Sequence, residues 1–154
     1  FIFIFILVFF TDRLSKIYIL NLAEINNPLD LEITPFLNFY LIWNKGIAFG
    51  LFSFDQNIIY NLITFLIVFI TVIILIIAIK SKDYKAYFFI SIFSGSVGNL
   101  YDRLYYSAVP DFIDFHLYDF HWFIFNVADI FISFGVICLI FVEIFLKKEV
   151  NGKN

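Results

Sequence analysis

One segment restricts the fold of this chain more than any other feature. Ile58 to Ile79 covers 22 consecutive positions without an Asp, Glu, Lys or Arg. About 20 mostly apolar residues are enough for a helix to cross the hydrocarbon core of a bilayer. Of all residues, 62% are hydrophobic and 15% are charged, whereas an ordinary soluble domain has about 25% charged residues. These features argue against a water-soluble globule and indicate an integral membrane protein.

Three further segments have the length and apolar character of membrane helices. They cover residues 1–22, 86–105 and 127–146. Together with residues 58–79 they leave room for loops but for no second domain, so we predict one domain over residues 1–154. The predicted fold class is an all-α membrane protein with four transmembrane helices. The exception is the segment 36–44, which is rich in aromatic and β-forming residues and is expected to run extended.

The start of the chain allows two interpretations. The sequence begins at Phe1, inside an apolar run, so we expect the natural N-terminus to be missing. A cleaved signal peptide is the rival interpretation, but no charged residue precedes this run and no clear small-residue cleavage site follows it. We therefore treat residues 1–22 as the first helix.

The distribution of lysines predicts the orientation of the helices, because cytoplasmic loops are enriched in Lys and Arg. The two longer loops, residues 23–57 and 106–126, contain one basic residue, Lys45. Six lysines lie in the loop after the second helix and in the C-terminal tail: Lys80, Lys82, Lys85, Lys147, Lys148 and Lys153. We therefore expect both termini in the cytoplasm and both longer loops outside.

Charge and cysteine content exclude several partners. The net charge is −3, and no basic run exceeds Lys147–Lys148, so nucleic acid is not expected as a partner. The single cysteine, Cys138, lies in an apolar run and rules out a disulfide framework or a cysteine-based zinc site. We expect a monomer that requires no cofactor.

Ionisable residues at membrane depth are costly, so they are candidates for function. Asp12 and Lys16 stand four positions apart on one helical face, and we interpret them as a structural ion pair. The segment from Asn44 to Gly50 contains two glycines and an alanine, which allow a tight turn or a close backbone approach. Asn44 adds a hydrogen-bond donor and an acceptor.

The third predicted helix combines small and polar residues. Two pairs of small residues stand four positions apart, Ser91 with Gly95 and Ser94 with Gly98. Such spacing lets a neighbouring helix pack closely. Asn99, Asp102 and Arg103 follow, and we interpret them as polar contacts between helices. Arg103 is then expected to hold carboxylates and backbone carbonyls.

A last cluster of acids and amides precedes and begins the fourth helix. Asn126, Asp129 and Ser133 form a polar stripe on an otherwise apolar helix. Asp129 has no basic residue within one turn, so it must be neutral or share a proton with a second acid. Asp111 is the best-placed second acid. Two such carboxyls can activate a water and polarise a carbonyl, as in aspartic proteases, which predicts amide hydrolysis at a membrane edge.

Two other chemistries compete with this interpretation. Five possible metal ligands crowd eleven residues: Asp111, Asp114, His116, Asp119 and His121. No His-Glu-x-x-His motif is present, so we expect no metal site and interpret both histidines as loop or interfacial residues. Alternatively, Asp129 could be the proton or cation site of a small ion-coupled transporter. That function requires a polar pathway to the cytoplasm, and the second helix offers only Thr64 and Thr71.

Five ordered motifs resemble those of the lipoprotein signal peptidase family, also called signal peptidase II. They are Asp12-x-x-x-Lys16, Asn44-x-Gly46-x-Ala48-Phe49-Gly50, Gly98-Asn99-x-x-Asp102-Arg103, Val109-x-Asp111-Phe112-Ile113 and Phe125-Asn126-x-Ala128-Asp129. Each motif alone is weak. Their order, together with the four predicted helices between them, covers nearly the whole chain and is highly specific.

The resemblance implies a four-helix aspartic endopeptidase of the bacterial inner membrane, with a small external β-rich platform and its active site at the outer face. Its substrates would be prolipoproteins whose cysteine carries a diacylglyceryl group, cut just before that cysteine. Asp111 and Asp129 match the catalytic positions. Supporting residues near the catalytic pair and the substrate would be Asp12, Lys16, Asn44, Gly98, Asn99, Arg103, Asn126 and Ala128.

Three positions depart from the family pattern. Arg13 stands where glutamine is usual, Ser94 replaces a common glycine, and Ile130 replaces a common serine. These departures concern the hydrogen bonds around the site and leave the proposed catalytic groups in place. Asp114 lies close enough to Asp111 to be confused with it, and Asp111 is preferred because it holds the Val-x-Asp-Phe position.

Overall fold

The computed structural model describes residues 1–26, 28–46, 57–118 and 120–146. Within them the chain forms four long helices and one small sheet. The elements in order are α1 (Ile2–Ile25), β1 (Asp30–Thr34), β2 (Leu37–Asn44), α2 (Asn57–Lys80), α3 (Lys85–Tyr106), β3 (Val109–Leu117), β4 (Phe120–Phe125) and α4 (Val127–Phe141). A π-helical turn, Val142–Leu146, continues α4.

Each apolar segment identified in the sequence forms a helix, although not all are equally apolar. Among the described residues, Ile58–Lys80 and Val127–Phe145 are long and apolar enough to cross a membrane by length and composition. In α1 the charged residues Asp12, Arg13 and Lys16 interrupt the apolar sequence. All four segments are therefore helical as predicted, and α2 and α4 also have the hydropathy expected of a membrane-spanning helix.

The sheet is antiparallel throughout, in the order β1-β2-β3-β4. The extended segment predicted at 36–44 is confirmed as β2. The combination of helices with a small β-rich part is also confirmed. However, "all-α" is too narrow a description, because four strands from two separate parts of the chain form one sheet.

Helix α3 packs against each of the other three helices. Its small residues permit this: a Cβ at Gly95 would lie 2.6 Å from the carbonyl oxygen of Ala128 in α4. The hydroxyl of Ser91 donates to the carbonyl of Phe131, also in α4, at 3.0 Å. The close packing of a neighbouring helix, predicted from the spacing of small residues, is therefore confirmed, and the structure identifies that helix as α4.

The sheet is joined to the helices through a small apolar cluster of Ile19, Leu29 and Phe112. These residues come from α1, the start of the β1 region and β3. Ser107 ends α3 in a left-handed conformation (φ 57°), and this turn directs the chain into β3. Strand β4 runs into α4 through Asn126. The sheet therefore lies next to the start of α4, where Asp129 lies.

Candidate active site

Asp111 is held on β3 by two amide groups. It is 1% exposed. Its Oδ2 accepts a hydrogen bond from Nδ2 of Asn44 at 2.8 Å, and its Oδ1 accepts one from Nδ2 of Asn126 at 2.6 Å. Asn44 ends β2, directly opposite Val109. The pairing of β2 with β3 therefore brings the Asn44 amide to the Asp111 carboxyl.

Asp129 lies in the first turn of α4 and is 6% exposed. Its Oδ1 accepts a hydrogen bond from Nδ2 of Asn99 at 2.8 Å, and its Oδ2 accepts one from the backbone N–H of Asn126 at 3.2 Å. The Asn126 side chain accepts in turn from the Asp129 backbone at 3.1 Å. This reciprocal capping box begins α4, where the helix dipole favours a negative charge.

The two carboxyl groups line one cavity of about 350 Å³. Amide and guanidinium groups of Asn44, Asn99, Arg103 and Asn126 share its wall. The rest of the wall comes mainly from apolar or small side chains of α2, α3 and α4: Ile67, Ile70, Thr71, Ile74, Ile92, Ser96, Ile132, Ser133 and Val136. The cavity is thus an apolar pocket with a few convergent polar groups, the usual form of a binding site.

The environment of Asp111 favours its protonated form. Burial is the largest cause, and the nearby charge of Asp129 is the second; together they raise the pKa of Asp111 to about 7. The hydrogen bonds from Asn44 and Asn126 and the charge of Lys16 act in the opposite direction. Near neutral pH the Asp111 carboxyl can therefore hold a proton or release it.

A buried network of charges lies behind Asp129. The ammonium of Lys16 donates to Oδ2 of Asp102 at 2.7 Å and lies 3.0 Å from Oδ1 of Asp12. Arg13 makes two hydrogen bonds to the Asp102 carboxylate, at 2.5 and 2.7 Å. The predicted Asp12–Lys16 ion pair therefore forms, within a cluster of two acids and two bases.

This network reaches the candidate active site at two points. Lys16 donates to Oδ1 of Asn99 at 2.9 Å, and Asn99 in turn holds Asp129. Oδ1 of Asp12 accepts a hydrogen bond from the backbone N–H of Ala128 at 3.0 Å, which fixes the first turn of α4. Lys16 and Asp12 therefore act on Asp129 through other groups, in keeping with the supporting positions implied by the resemblance.

Gly98 and Ala128 allow α1, α3 and α4 to meet. A Cβ at Gly98 would lie 2.8 Å from Oδ2 of Asp12 and 3.6 Å from the Ala128 side chain. Any larger residue at position 98 would displace the Asp12 carboxylate. The two small residues are therefore positioned at the crossing of three helices, beside the charge network.

Arg103 also lines the cavity, at the end of α3. It donates to the backbone carbonyl of Gly46, and its guanidinium lies 5.7 Å from the ring centroid of Tyr60. The Tyr60 hydroxyl donates to the carbonyl of Arg103 at 3.1 Å. The expected contact of Arg103 with a backbone carbonyl is therefore present. Ala48, Phe49 and Gly50 of the same motif lie outside the described residues.

The structure separates Asp114 from Asp111. Asp114 is not among the residues that line the cavity, and its Oδ2 lies 2.8 Å from Nδ1 of His121. Of the two interpretations of the histidines, the loop position is wrong, because His116 is on β3 and His121 is opposite it on β4; the interfacial position stays a prediction. Because His116 and His121 are directly paired across the two strands, their side chains share one face of the sheet. Asp119 lies outside the described residues.

Two features of the site were missed in the sequence. Asp102 makes the polar contact between helices that was expected of it, but its full burial and its hold on both Lys16 and Arg13 were not predicted. Its position one turn after Gly98 was the available signal. The contribution of α2 to the cavity wall carries no sequence signal, since an isoleucine that faces a pocket and one that faces lipid look alike.

The three departures from the family pattern have different surroundings. Arg13 forms the bidentate pair with Asp102. The Ser94 hydroxyl is fully buried and donates to the carbonyl of Ile90 in its own helix at 2.6 Å. Ile130 is 46% exposed on α4. None of the three lines the cavity, and among them Arg13 is the one that bonds to the charge network.

A family model described as Signal peptidase (SPase) II matches residues 4–145. The lipoprotein signal peptidase of Pelagibacter ubique (strain HTCC1062) is 56% identical over 98% of this chain and 92% of its own length. The lipoprotein signal peptidase of Aquifex aeolicus (strain VF5) is 38% identical over 94% of this chain and 86% of its own length.

Solved structures agree with this result. Two bacterial membrane enzymes, determined by the in meso method at 2.3 and 1.9 Å resolution, match with TM-scores of 0.77 and 0.76. The first is 29% identical over 99% of this chain and 90% of its own, and the second is 27% identical over 94% and 92%. From the family match, the identities and the shared fold, this chain belongs to the signal peptidase II family.

Proposed function

We propose that Asp111 and Asp129 are the catalytic pair of this membrane peptidase. As a member of the signal peptidase II family, the chain is an aspartic peptidase that removes signal peptides from prolipoproteins. One observation carries the assignment of the pair: the two buried carboxyls line the same cavity and are joined by Asn126, which hydrogen-bonds to both.

Hydrolysis by such a pair needs one carboxylate and one protonated carboxyl. The carboxylate takes a proton from water, whose oxygen attacks the carbonyl carbon of the scissile peptide bond. The protonated carboxyl gives its proton to the carbonyl oxygen. The C–N bond then breaks as the leaving nitrogen takes the proton that came from water, and a hydroxyl of the intermediate returns a proton to the other carboxyl. Asp111, whose pKa is raised to about 7, can supply that proton near neutral pH.

We propose that the substrate carries a diacylglyceryl group on the cysteine that follows the cut. The apolar wall of the cavity, formed by side chains such as Ile67, Ile70 and Ile74 of α2, supports entry of an apolar substrate from the bilayer. Burial of acyl chains is worth about 0.8 kcal/mol per methylene relative to water. The acyl chains are already buried in the bilayer before the substrate binds, so this free energy does not favour binding. Selectivity must therefore come from how the substrate is positioned in the cavity.

We also propose that four helices span a bacterial inner membrane, with both termini cytoplasmic and the sheet outside. The lysine distribution supports this orientation. Large apolar side chains are exposed along α2, among them Leu62 and Phe65, as expected of a lipid-facing surface. In this orientation the carboxyl pair lies near the outer face, where both water and a lipid-anchored cysteine are available.

A cleavage assay with purified protein in detergent tests the assignment. A diacylglyceryl-modified precursor and its unmodified form are incubated with wild type and with Asp111→Asn, Asp129→Asn and Asp114→Asn variants, with and without chelator. We expect cleavage of the modified precursor to fall about a thousandfold or more in the first two variants. It should survive in Asp114→Asn and in the presence of chelator.

Other outcomes would overturn particular parts of the proposal. Cleavage that survives Asp111→Asn and is lost in Asp114→Asn would transfer the role to Asp114. Equal cleavage of both precursors would contradict the requirement for a lipid. Ion-coupled transport at Asp129, the alternative function, has no support among the reported relatives, which are lipoprotein signal peptidases.

A further inference from the structure

A second group of chemically active side chains lies on the β3–β4 hairpin. Asp114 and His116 are two positions apart on β3, and His121 is directly opposite His116 on β4. Directly paired residues share a face of the sheet, and although the pairing is irregular between Asp114 and His116, Oδ2 of Asp114 and Nδ1 of His116 lie 3.9 Å apart. The two imidazole rings are stacked with their centroids 5.1 Å apart. One carboxylate and two imidazoles are therefore brought together on one face of the hairpin.

The distances within this group are those of a nearly assembled metal site. Oδ2 of Asp114 lies 2.8 Å from Nδ1 of His121 and 3.9 Å from Nδ1 of His116. One ligand atom from each residue lies within 4.8 Å of the other two. Ligands about 2.0–2.1 Å from a tetrahedral zinc ion are roughly 3.3 Å apart. Small side-chain rotations would bring all three atoms to that separation.

Several buried polar atoms of this group make no hydrogen bond to the described residues. Within the part of the chain that the structure describes, Oδ1 of Asp114 and Nδ1 of His116 are buried without a hydrogen-bond partner, and Asp114 is only 3% exposed. Oδ1 of Asn38, the cross-strand neighbour of Asp114, is also buried and has no hydrogen-bond partner among the described residues. Buried polar atoms are nearly always satisfied, and an ion is one recognised explanation for exceptions. A cation would satisfy carboxylate oxygen and unprotonated imidazole nitrogen at once.

The types of donor atom select the class of metal. Two imidazoles and one carboxylate suit zinc and neighbouring transition metals, whereas calcium and magnesium prefer oxygen alone. His121 is more than half exposed, which leaves a route for entry and room for a water as fourth ligand. The group is separate from the peptidase cavity, because none of its three residues lines that cavity.

We propose that Asp114, His116 and His121 bind one divalent transition-metal ion, with zinc as the best match. The ion would link β3, which carries Asp111, to β4, which leads into Asn126. It replaces the hydrogen bond between Asp114 and His121 and requires neutral imidazoles, so binding weakens as pH falls. The metal ion stabilises the β3–β4 hairpin and takes no part in peptide hydrolysis.

Metal titration of the whole protein tests this site. The chain is purified in detergent, any polyhistidine tag is removed, and bound metal is stripped with chelator. ZnCl₂ is titrated by calorimetry, and CoCl₂ is followed by its visible absorption bands. We expect one equivalent to bind and the melting temperature to rise with zinc. Because His121→Ala removes an exposed ligand, it should fold normally and bind zinc about tenfold or more weakly. His116→Ala and Asp114→Asn should do the same.

The control variant is Asp30→Asn, which removes an exposed carboxylate from the same sheet outside the group and should bind zinc as wild type does. Equal binding by wild type and by His121→Ala would overturn the proposal, as would a wild-type titration that does not saturate. The test is independent of the peptidase assignment, because it measures binding and stability. Cleavage by stripped protein at temperatures below its melting point should persist.

Discussion

At the scale of single residues, Asn126 connects the two acids. Its Nδ2 donates to Asp111, while its backbone N–H and its Oδ1 both bond to Asp129. The residue is fully buried, so these hydrogen bonds have no competition from water. Asn126 therefore determines the relative placement of the two carboxyls and begins α4 at the same time.

Replacing this residue should damage catalysis more than substrate binding. Asn126→Ala removes the donor to Oδ1 of Asp111 and the acceptor that caps the backbone N–H of Asp129, which costs about 1–3 kcal/mol per unsatisfied buried group. We expect kcat to fall about tenfold to a hundredfold, with little change in KM and a shifted pH profile. Initial rates across a pH series measure this. Asn61→Ala, which changes an exposed amide on α2, should leave both constants unaltered; an equal loss there would contradict the role of Asn126.

The raised pKa of Asp111 makes stability depend on pH. In the folded state the pKa is about 7, above its ordinary value, so the folded protein binds more protons than the unfolded chain between about pH 4 and 7. The contribution of Asp111 is fully present at the acidic end and is lost as pH rises through about 7, a loss of up to about 4 kcal/mol. Asp129 and Lys16 are the charges that act on this group.

Melting temperatures in detergent from pH 4 to 8 check this dependence. Wild type should become less stable as pH rises, whereas Asp111→Asn should show a flatter profile because its amide does not titrate. Asp30→Asn, with an exposed carboxyl replaced, should keep the wild-type slope. A wild-type profile that rises toward pH 8 at the same rate as that of Asp111→Asn would contradict the prediction.

At the scale of elements, the helices are held together by contacts that tolerate little change. Helix α3 meets α4 through backbone contact at Gly95 and meets α1 through buried charges. The α3–α4 contact requires that position 95 has no side chain, and the α3–α1 contact requires that the buried charges are paired. Both place α4, and therefore Asp129, relative to the rest of the molecule.

Adding a methyl group at position 95 should separate α3 from α4. The Cβ of Gly95→Ala would lie 2.6 Å from the carbonyl oxygen of Ala128 and 2.8 Å from the Ile132 side chain. We expect a loss of about 1–3 kcal/mol of stability and a lower kcat, because the first turn of α4 must shift. Melting temperature and cleavage rate measure the two effects. Ser94→Ala adds no volume and is the control; a larger effect there would contradict the explanation.

Arg13 is the feature of this network that departs from the family pattern. Arg13→Gln, which restores the residue usual in the family, removes the bidentate pair with Asp102. Lys16 still pairs with Asp102, so we expect a moderate loss of about 1–3 kcal/mol and nearly normal cleavage. Thermal unfolding measures this loss of stability, and Lys82→Gln, which changes an exposed residue, is the control. Unchanged stability would mean that the pair contributes nothing.

At the scale of the whole molecule, the proposed orientation predicts which surface meets each side of the membrane. The sheet and the carboxyl pair should face outward, and the loop between α2 and α3 should face the cytoplasm. In a Cys138→Ser background, Glu32→Cys on β1 and Lys82→Cys in that loop place one thiol on each side.

A membrane-impermeant maleimide applied to intact cells should label position 32 and leave position 82 unlabelled. Permeabilised cells should show labelling at both positions, which controls for buried thiols. Labelling of position 82 in intact cells would reverse the proposed orientation. Equal labelling of both positions in intact cells would contradict the separation of the two surfaces by a membrane.

The helices, the extended segment that became β2 and the family can all be recognised in the amino-acid sequence alone. Apolar runs and motif order are local properties, and each could be recognised without knowing its surroundings. Three features are visible only in the folded protein: Arg13 binds Asp102, 89 positions away; α2 forms part of the cavity wall; and Asp114 contacts His121 while Asp111 contacts Asn126. These contacts depend on how separate elements pack, and packing is decided by the whole chain at once, so no local pattern encodes it.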